Sequence, residues 1–253
     1  MKHKQFLFLQ TLLMSMVAGS MAFVSCSDND EEFSKSVEYD YVDLGLPSGT
    51  LWATCNIGAS NPEEYGLYFA WGEIRGYTRD TSDGHSFDWS NYKYCNGSYE
   101  SITKYYSDGS FDDYYGHIKG RTIELDPSDD AAYVNWGSKW RIPSIDQMEE
   151  LGDKCVWKWA KRNGVNGYTV IGPNQNSIFL PAAGSRYKNL FDDVANTYGY
   201  YWSRTLNNWY SSDASNYYFY NGIESDGHFY SGHDGRPGDR CYGYSIRPVR
   251  VSQ

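Results

Sequence analysis

Short apolar runs separated by polar, turn-forming clusters set the rhythm of this chain. Tyr41-Val42-Asp43-Leu44 and Leu51-Trp52-Ala53-Thr54-Cys55 flank Pro47-Ser48-Gly49, which predicts two strands around a turn. A third run, Tyr65 to Trp71, stops at Gly72-Glu73. Residues 74–120 are dense in Gly, Asp, Ser, Asn and Tyr without a sustained period and read as a long decorated loop region. Pro127-Ser128-Asp129-Asp130-Ala131-Ala132 suits a short helix with acids in its first turn. The strongest helical period covers 144–163. Ser144 and Gln147 form a capping box, and Ile145, Met148, Leu151, Cys155 and Trp159 recur at helical spacing. Gly152 weakens the middle, so the helix either runs to Asn163-Gly164 or ends near Lys154 with a turn after it. Tyr168–Ile171 and Ser177–Leu180 predict a hairpin around Gly172-Pro173-Asn174, and further strands are expected at Tyr200–Ser203, Tyr217–Tyr220 and Tyr244–Val249. A few helices beside many short antiparallel strands with long loops describe an α+β domain.

The N-terminus differs in kind. Lys2 and Lys4 precede an apolar run from Phe6 to Val24, which describes an export signal over 1–25 rather than a membrane span. Ser25-Cys26 resembles a bacterial lipobox, in which Cys26 becomes the lipidated first residue. Ser27-Asp28-Asn29-Asp30-Glu31-Glu32 resembles the acidic tag that sends lipoproteins of the Bacteroidetes to the cell exterior. Residues 26–38 read as a lipidated tether and 39–253 as one folded domain, since no Pro/Gly/Ser-rich break divides them. Without Lys2 and Lys4 the chain carries 20 basic and 32 acidic side chains, a net charge of −12. That acidity argues against nucleic acid and against direct adhesion to anionic lipid.

The last fifty residues hold a Tyr/Asn/Ser/Asp/Gly-rich stretch between Tyr201-Trp202-Ser203 and Ser245-Ile246-Arg247-Pro248-Val249. Rigid aromatics interleaved with small adaptable polar groups are what antibody loops use for contact. An irregular surface loop fits the same composition. The whole chain holds 25 Tyr and 9 Trp, so aromatics take over part of the core from aliphatics. Cys55, Cys95, Cys155 and Cys241 allow two disulfides in three connectivities and match no zinc spacing. His85, His117, His228 and His233 are scattered in Gly/Asp-rich loops, and Asp112-Asp113 and Asp192-Asp193 read as solvated acids. No Ser-His-Asp elbow or phosphate loop is present.

Six blocks come in a distinctive order: Leu51-Trp52-Ala53-Thr54-Cys55-Asn56-Ile57-Gly58-Ala59, Tyr68-Phe69-Ala70-Trp71-Gly72-Glu73, Trp140-Arg141-Ile142-Pro143-Ser144, Phe179-Leu180-Pro181-Ala182-Ala183-Gly184, Tyr201-Trp202-Ser203 and Ser245-Ile246-Arg247-Pro248-Val249. Together they resemble the Fibrobacter-succinogenes-major paralogous domain of Bacteroidetes surface lipoproteins, over roughly residues 40–251. The resemblance implies a C-type-lectin-like fold and pairs Cys55 with Cys155. Members of this fold also serve as variable proteins of diversity-generating retroelements, whose adenine-directed mutagenesis favours a vocabulary close to that of residues 206–244. That segment holds no Lys, Gln or Met, although Trp209 and Glu224 depart from the pattern. The calcium-lectin loops of the fold are absent, with Asn61-Pro62-Glu63 only a partial echo, and its oxidases need two nearby reactive cysteines where only Cys241 lies in the matching context.

The expectation is therefore a lipid-anchored outer-membrane protein facing the exterior, not an enzyme, without metal or cofactor. It would bind an external protein or glycan through Trp209, Tyr210, Asn216, Tyr218, His228, Tyr230 and His233. The alternative is a structural or assembly component of the cell surface or pili with no soluble ligand.

Overall fold

Turn-rich sequence yields short strands, and thirteen regular elements follow one another among the described residues. In the computed structural model these are residues 38–106, 123–191, 195–207, 210–223 and 229–251, all within one unit, Val37–Gln253. Strands β1 (Tyr41–Asp43) and β2 (Thr50–Ala53) come first, then helices α1 (Ala131–Trp136) and α2 (Ile145–Lys154). Next are β3 (Val156–Arg162), β4 (Val165–Ile171) and β5 (Ser177–Pro181), followed by the small hairpin β6 (Arg186–Tyr187) and β7 (Leu190–Phe191). Strands β8 (Tyr198–Leu206), β9 (Asp213–Ile223), β10 (Phe229–Asp239) and β11 (Val249–Val251) close the chain. The strands pair antiparallel in three sheets, ordered β1-β2-β11, β3-β4-β5 and β10-β9-β8, beside the β6–β7 pair. The architecture is mixed α+β. No helix among the described residues is long and apolar enough to cross a membrane.

Helix α2 ends at Lys154, and the continuation to Asn163 expected from periodicity is strand β3. Positions 155, 157 and 159 fit a period of two as well as they fit a helix, and Val and Trp favour the strand. The Trp157 indole donates to the Leu151 carbonyl at 3.2 Å and ties off the helix end. Asn163-Gly164 is the β3–β4 turn, with both residues at positive φ. At the helix start, Ser144 and Gln147 make the anticipated capping box.

The sheet β8–β10 separates two apolar cores. One gathers Trp71, Phe69, Phe87, Trp202, Leu206, Ala214 and Tyr244; the other gathers Met148, Leu151, Tyr168, Val170, Tyr201, Tyr217 and Phe219. Alternation explains the split: Trp202 faces one core and its neighbour Tyr201 the other.

Three arginines, Arg186, Arg240 and Arg247, are fully buried and tie the loops to this frame. Arg247 donates to Asn56 Oδ1 and to the carbonyls of Ala53, Thr54 and Phe179 at 2.8–3.2 Å. Arg240 donates to the Tyr92 hydroxyl and to the carbonyls of Lys104, Tyr105 and Ser211, with its guanidinium 4.8 Å from the Trp71 ring centroid. Arg186 holds Asp83 and the carbonyls of Thr78 and His85. A buried carbonyl without a partner costs about 1–3 kcal/mol, so a five-donor guanidinium suits loops that lack a ladder.

Candidate functional site

The polar C-terminal stretch is the sheet β8–β10 itself, an ordered ladder rather than a set of free loops. Register between β9 and β10 is unbroken from Asp213↔Asp239 to Ile223↔Phe229. Strand β8 carries an irregularity between Trp202 and Leu206, and the displaced residues anchor α2. There the Arg204 guanidinium donates to Glu124, Gln147 and the Ile142 carbonyl, while Thr205 Oγ1 accepts from the Ile145 amide at 3.1 Å. Bulges commonly re-aim a strand in this way. Here the bulge fixes the helix across one face of the sheet.

The opposite face carries a chain of stacked and tilted aromatic rings. Trp202 contacts Tyr244 at 4.3 Å between centroids and Tyr244 contacts Tyr200 at 5.1 Å. From Tyr200 the series runs to Tyr198 and Tyr218 (6.1 Å each), and both reach Tyr220, at 5.6 and 5.8 Å. The Arg236 guanidinium lies 4.1 Å from the Tyr218 centroid. The series joins buried and half-buried rings. Trp202, Tyr244 and Tyr218 are buried, whereas Tyr198, Tyr200 and Tyr220 are half-buried. Each stacked pair contributes about 0.5–1.5 kcal/mol beyond its area, so the buried end holds the half-exposed end rigid.

Of the expected contact residues, Tyr210 is open to solvent at 56 % exposure. Asn216 and Tyr218 are not: they are 2 % and 7 % exposed. They sit in the central strand, where both edges and both faces are covered. A β-carbon at Gly238 would come within 2.8 Å of the Asn216 amide, so glycine is required beside it. His233 is half-buried, stacked on Trp157 at 4.4 Å, with Nδ1 2.7 Å from the Tyr217 hydroxyl. Trp209 and His228 fall outside the described residues, as do Cys26, His117, Asp112, Asp113 and the side chain of Tyr230. The expected Cys55–Cys155 link is not formed. Cys55, Cys95, Cys155 and Cys241 are all free thiols, Cys241 fully buried.

Beneath the first turns of α2 lies a cleft of about 270 Å³. Ile145, Asp146 and Glu149 form its helical wall; Leu206, Ser215 and Gly235–Pro237 are among its sheet residues. Burial, then the neighbouring Asp146, Asp153 and Asp234, pushes the Glu149 carboxyl above its ordinary range. Burial likewise lowers the His233 imidazole, against the pull of Asp234 and Asp153, and raises the Tyr217 hydroxyl. Like charges that hinder each other's ionisation leave this side of the sheet electronegative. Among the described residues no cluster of three His, Cys, Asp or Glu is arranged to hold a metal ion.

Comparison with protein-family models, curated proteins and solved structures finds no match to this chain.

Proposed function

We propose that this chain is a surface-anchored binding module of C-type-lectin-like fold, displayed on the outer membrane through a lipid on Cys26. Its recognition surface is the sheet β8–β10, and its ligand is an external protein or glycan. The half-exposed tyrosine series, stacked on a buried aromatic base, is the observation that carries this reading. Half-exposed tyrosines have little use in a core, but they offer a large, rigid, amphipathic contact area at low entropic cost. Tyr210, exposed on the β8–β9 connection, adds an aromatic contact at the opposite end of the same sheet. The acidic balance of the chain favours neutral or basic partners over polyanions.

The test uses the full chain, fluorescently labelled, on an array of glycans and a panel of purified extracellular proteins. The variant Tyr198→Ala/Tyr210→Ala/Tyr220→Ala should lose whatever binding the parent shows. The chain should stay folded, with a melting temperature lower by about 3–12 °C, since the three partly exposed aromatic pairs removed contribute about 0.5–1.5 kcal/mol each. Unchanged binding by the triple variant would overturn the assignment. So would an assembly defect at the cell surface in place of any ligand loss.

A further inference from the structure

Strand β10 is an edge. In the sheet order β10-β9-β8 it pairs on one side only, and among the described residues no backbone group of Phe229–Gly238 bonds outward. The direction of each peptide group follows from its neighbours. The Asn221 amide donates to the Thr197 carbonyl and the Asp213 carbonyl accepts from Asn207, so odd-numbered residues of β9 face β8. The Ser212 carbonyl accepts from Arg240, which sets even-numbered residues toward β10. Tyr218 and Tyr220 therefore exchange bonds with Asp234 and Gly232. Ser231, His233 and Gly235 turn their N–H and C=O groups away from the sheet. Pro237 is next in the same phase, and its ring replaces an outward N–H, the position an edge strand tolerates.

The contrast with β3 matters. That strand is also an edge, and it carries Lys158, Lys161 and Arg162, charges of the kind that guard natural edges against pairing. The stretch Ser231–Gly235 holds no Lys or Arg, and Arg236 and Pro237 guard only its far end. On the α2 side, Asp146, Glu149 and Asp153 are exposed one helical turn apart, and Asp146 and Glu149 share the cleft with Gly235.

We infer that β10 receives an extended peptide segment of a protein ligand, which adds as a further strand along Ser231–Gly235. This rests on the reading of the sheet as a recognition surface, and it selects protein over glycan. Main-chain bonds to Ser231, His233 and Gly235 supply affinity, and alternate side chains of the added strand supply selectivity. Those pointing toward α2 meet the carboxylates of Asp146, Glu149 and Asp153, so the segment carries Lys or Arg at every second position.

The experiment selects displayed random dodecapeptides on the full chain and measures the winners by calorimetry. Alternating basic residues are expected. N-methylation of alternate peptide amides should weaken binding about tenfold or more, the cost of a lost main-chain bond. Ser231→Pro should do the same without changing the circular dichroism spectrum, because residue 231 donates no ladder bond. Methylated peptides that bind as tightly as their parents would overturn the inference without any change to the protein. Selection of glycans but no peptide would overturn it and leave the binding module standing. A wild-type dimer that Ser231→Pro renders monomeric would assign the edge to a second copy instead.

Discussion

Gly152 is the point at which the seating of α2 on the sheet β8–β10 can be tested quantitatively. Glycine inside a helix costs about 0.5–1 kcal/mol relative to alanine, so local propensity alone makes Gly152→Ala stabilising. The surroundings oppose this. A β-carbon at 152 would lie 2.0 Å from the Tyr217 hydroxyl and 3.0 Å from its ring carbon. That hydroxyl is engaged with His233 Nδ1 at 2.7 Å and cannot swing away without losing the bond. Overpacking costs about 1–3 kcal/mol and a lost hydrogen bond about 0.5–1.5 kcal/mol, so the clash wins by about 1–3 kcal/mol. For a domain of this size that lowers Tm by about 2–4 °C per kcal/mol. Removing the hydroxyl by Tyr217→Phe takes away the closest atom, so Gly152→Ala should cost less in that background. A double-mutant cycle by thermal and urea denaturation isolates the term. A more stable Gly152→Ala, or a cycle with no coupling, would refute the packing of α2 against β9.

Other outcomes follow from the same geometry. Arg247→Met should destabilise by about 3 kcal/mol, since it removes the donor from the buried carbonyls of Ala53 and Phe179, the part-buried carbonyl of Thr54 and the Asn56 side chain; urea denaturation reads it. Burial works to raise Asp129, but Lys104, Tyr105 and Tyr94 hold its carboxyl down at about 2 against an ordinary 3.8. Its contribution is therefore present above pH 3.8 and lost as pH falls toward 2, so Asp129→Asn should melt lower than the parent at pH 7, with the gap closing over that window. Glu149 has the opposite sign. Its raised carboxyl favours the native state below the ordinary 4.5 and loses that advantage as pH rises, so Glu149→Gln should raise Tm at pH 7 and flatten the slope above pH 4.5. Finally, iodoacetamide should label Cys55 and Cys95 in the native chain but Cys241 only after unfolding, read by peptide mass spectrometry.

What the sequence made legible were elements with strong local chemistry. The Ser144–Gln147 capping box, the β4–β5 hairpin and the Tyr200–Ser203 strand are specified by neighbours in the chain. Strand β10 escaped because Gly232, Gly235, Pro237 and Gly238 are poor strand formers; its partner β9, with Tyr217 to Tyr220, imposes the extended conformation. Tyr65 to Trp71 looked like a strand and makes only isolated bridges, Tyr68 with Tyr77 and Phe69 with Tyr244. Asn216 and Tyr218 depart from the expectation for a related reason. Composition marks them as contact residues, but burial depends on which strand becomes central, and that is decided by pairing across distant segments. Of the buried arginines only Arg247 left a signal, a single cation inside Ser245-Ile246-Arg247-Pro248-Val249, whereas Arg186 and Arg240 stand among polar and charged neighbours.

Stability and the proposed recognition surface are divided along the same strands rather than between separate regions. Trp202 lies at the covered end and Phe219 on the face that α2 covers, and truncating either large aromatic costs about 3–5 kcal/mol. Tyr198 and Tyr220, only a few residues away, are half-buried, and their replacement removes little more than a stacked pair. The loops add almost no regular pairing of their own and depend on Arg186, Arg240 and Arg247, whose bonds go mainly to backbone carbonyls and so ignore the identity of most loop side chains. A frame of that kind tolerates substitution at its exposed positions because the atoms that hold it together are not the atoms being changed. The limit of tolerance falls between Tyr220 and Asn216, within one strand, where side chains pass from solvent into the space between the two cores.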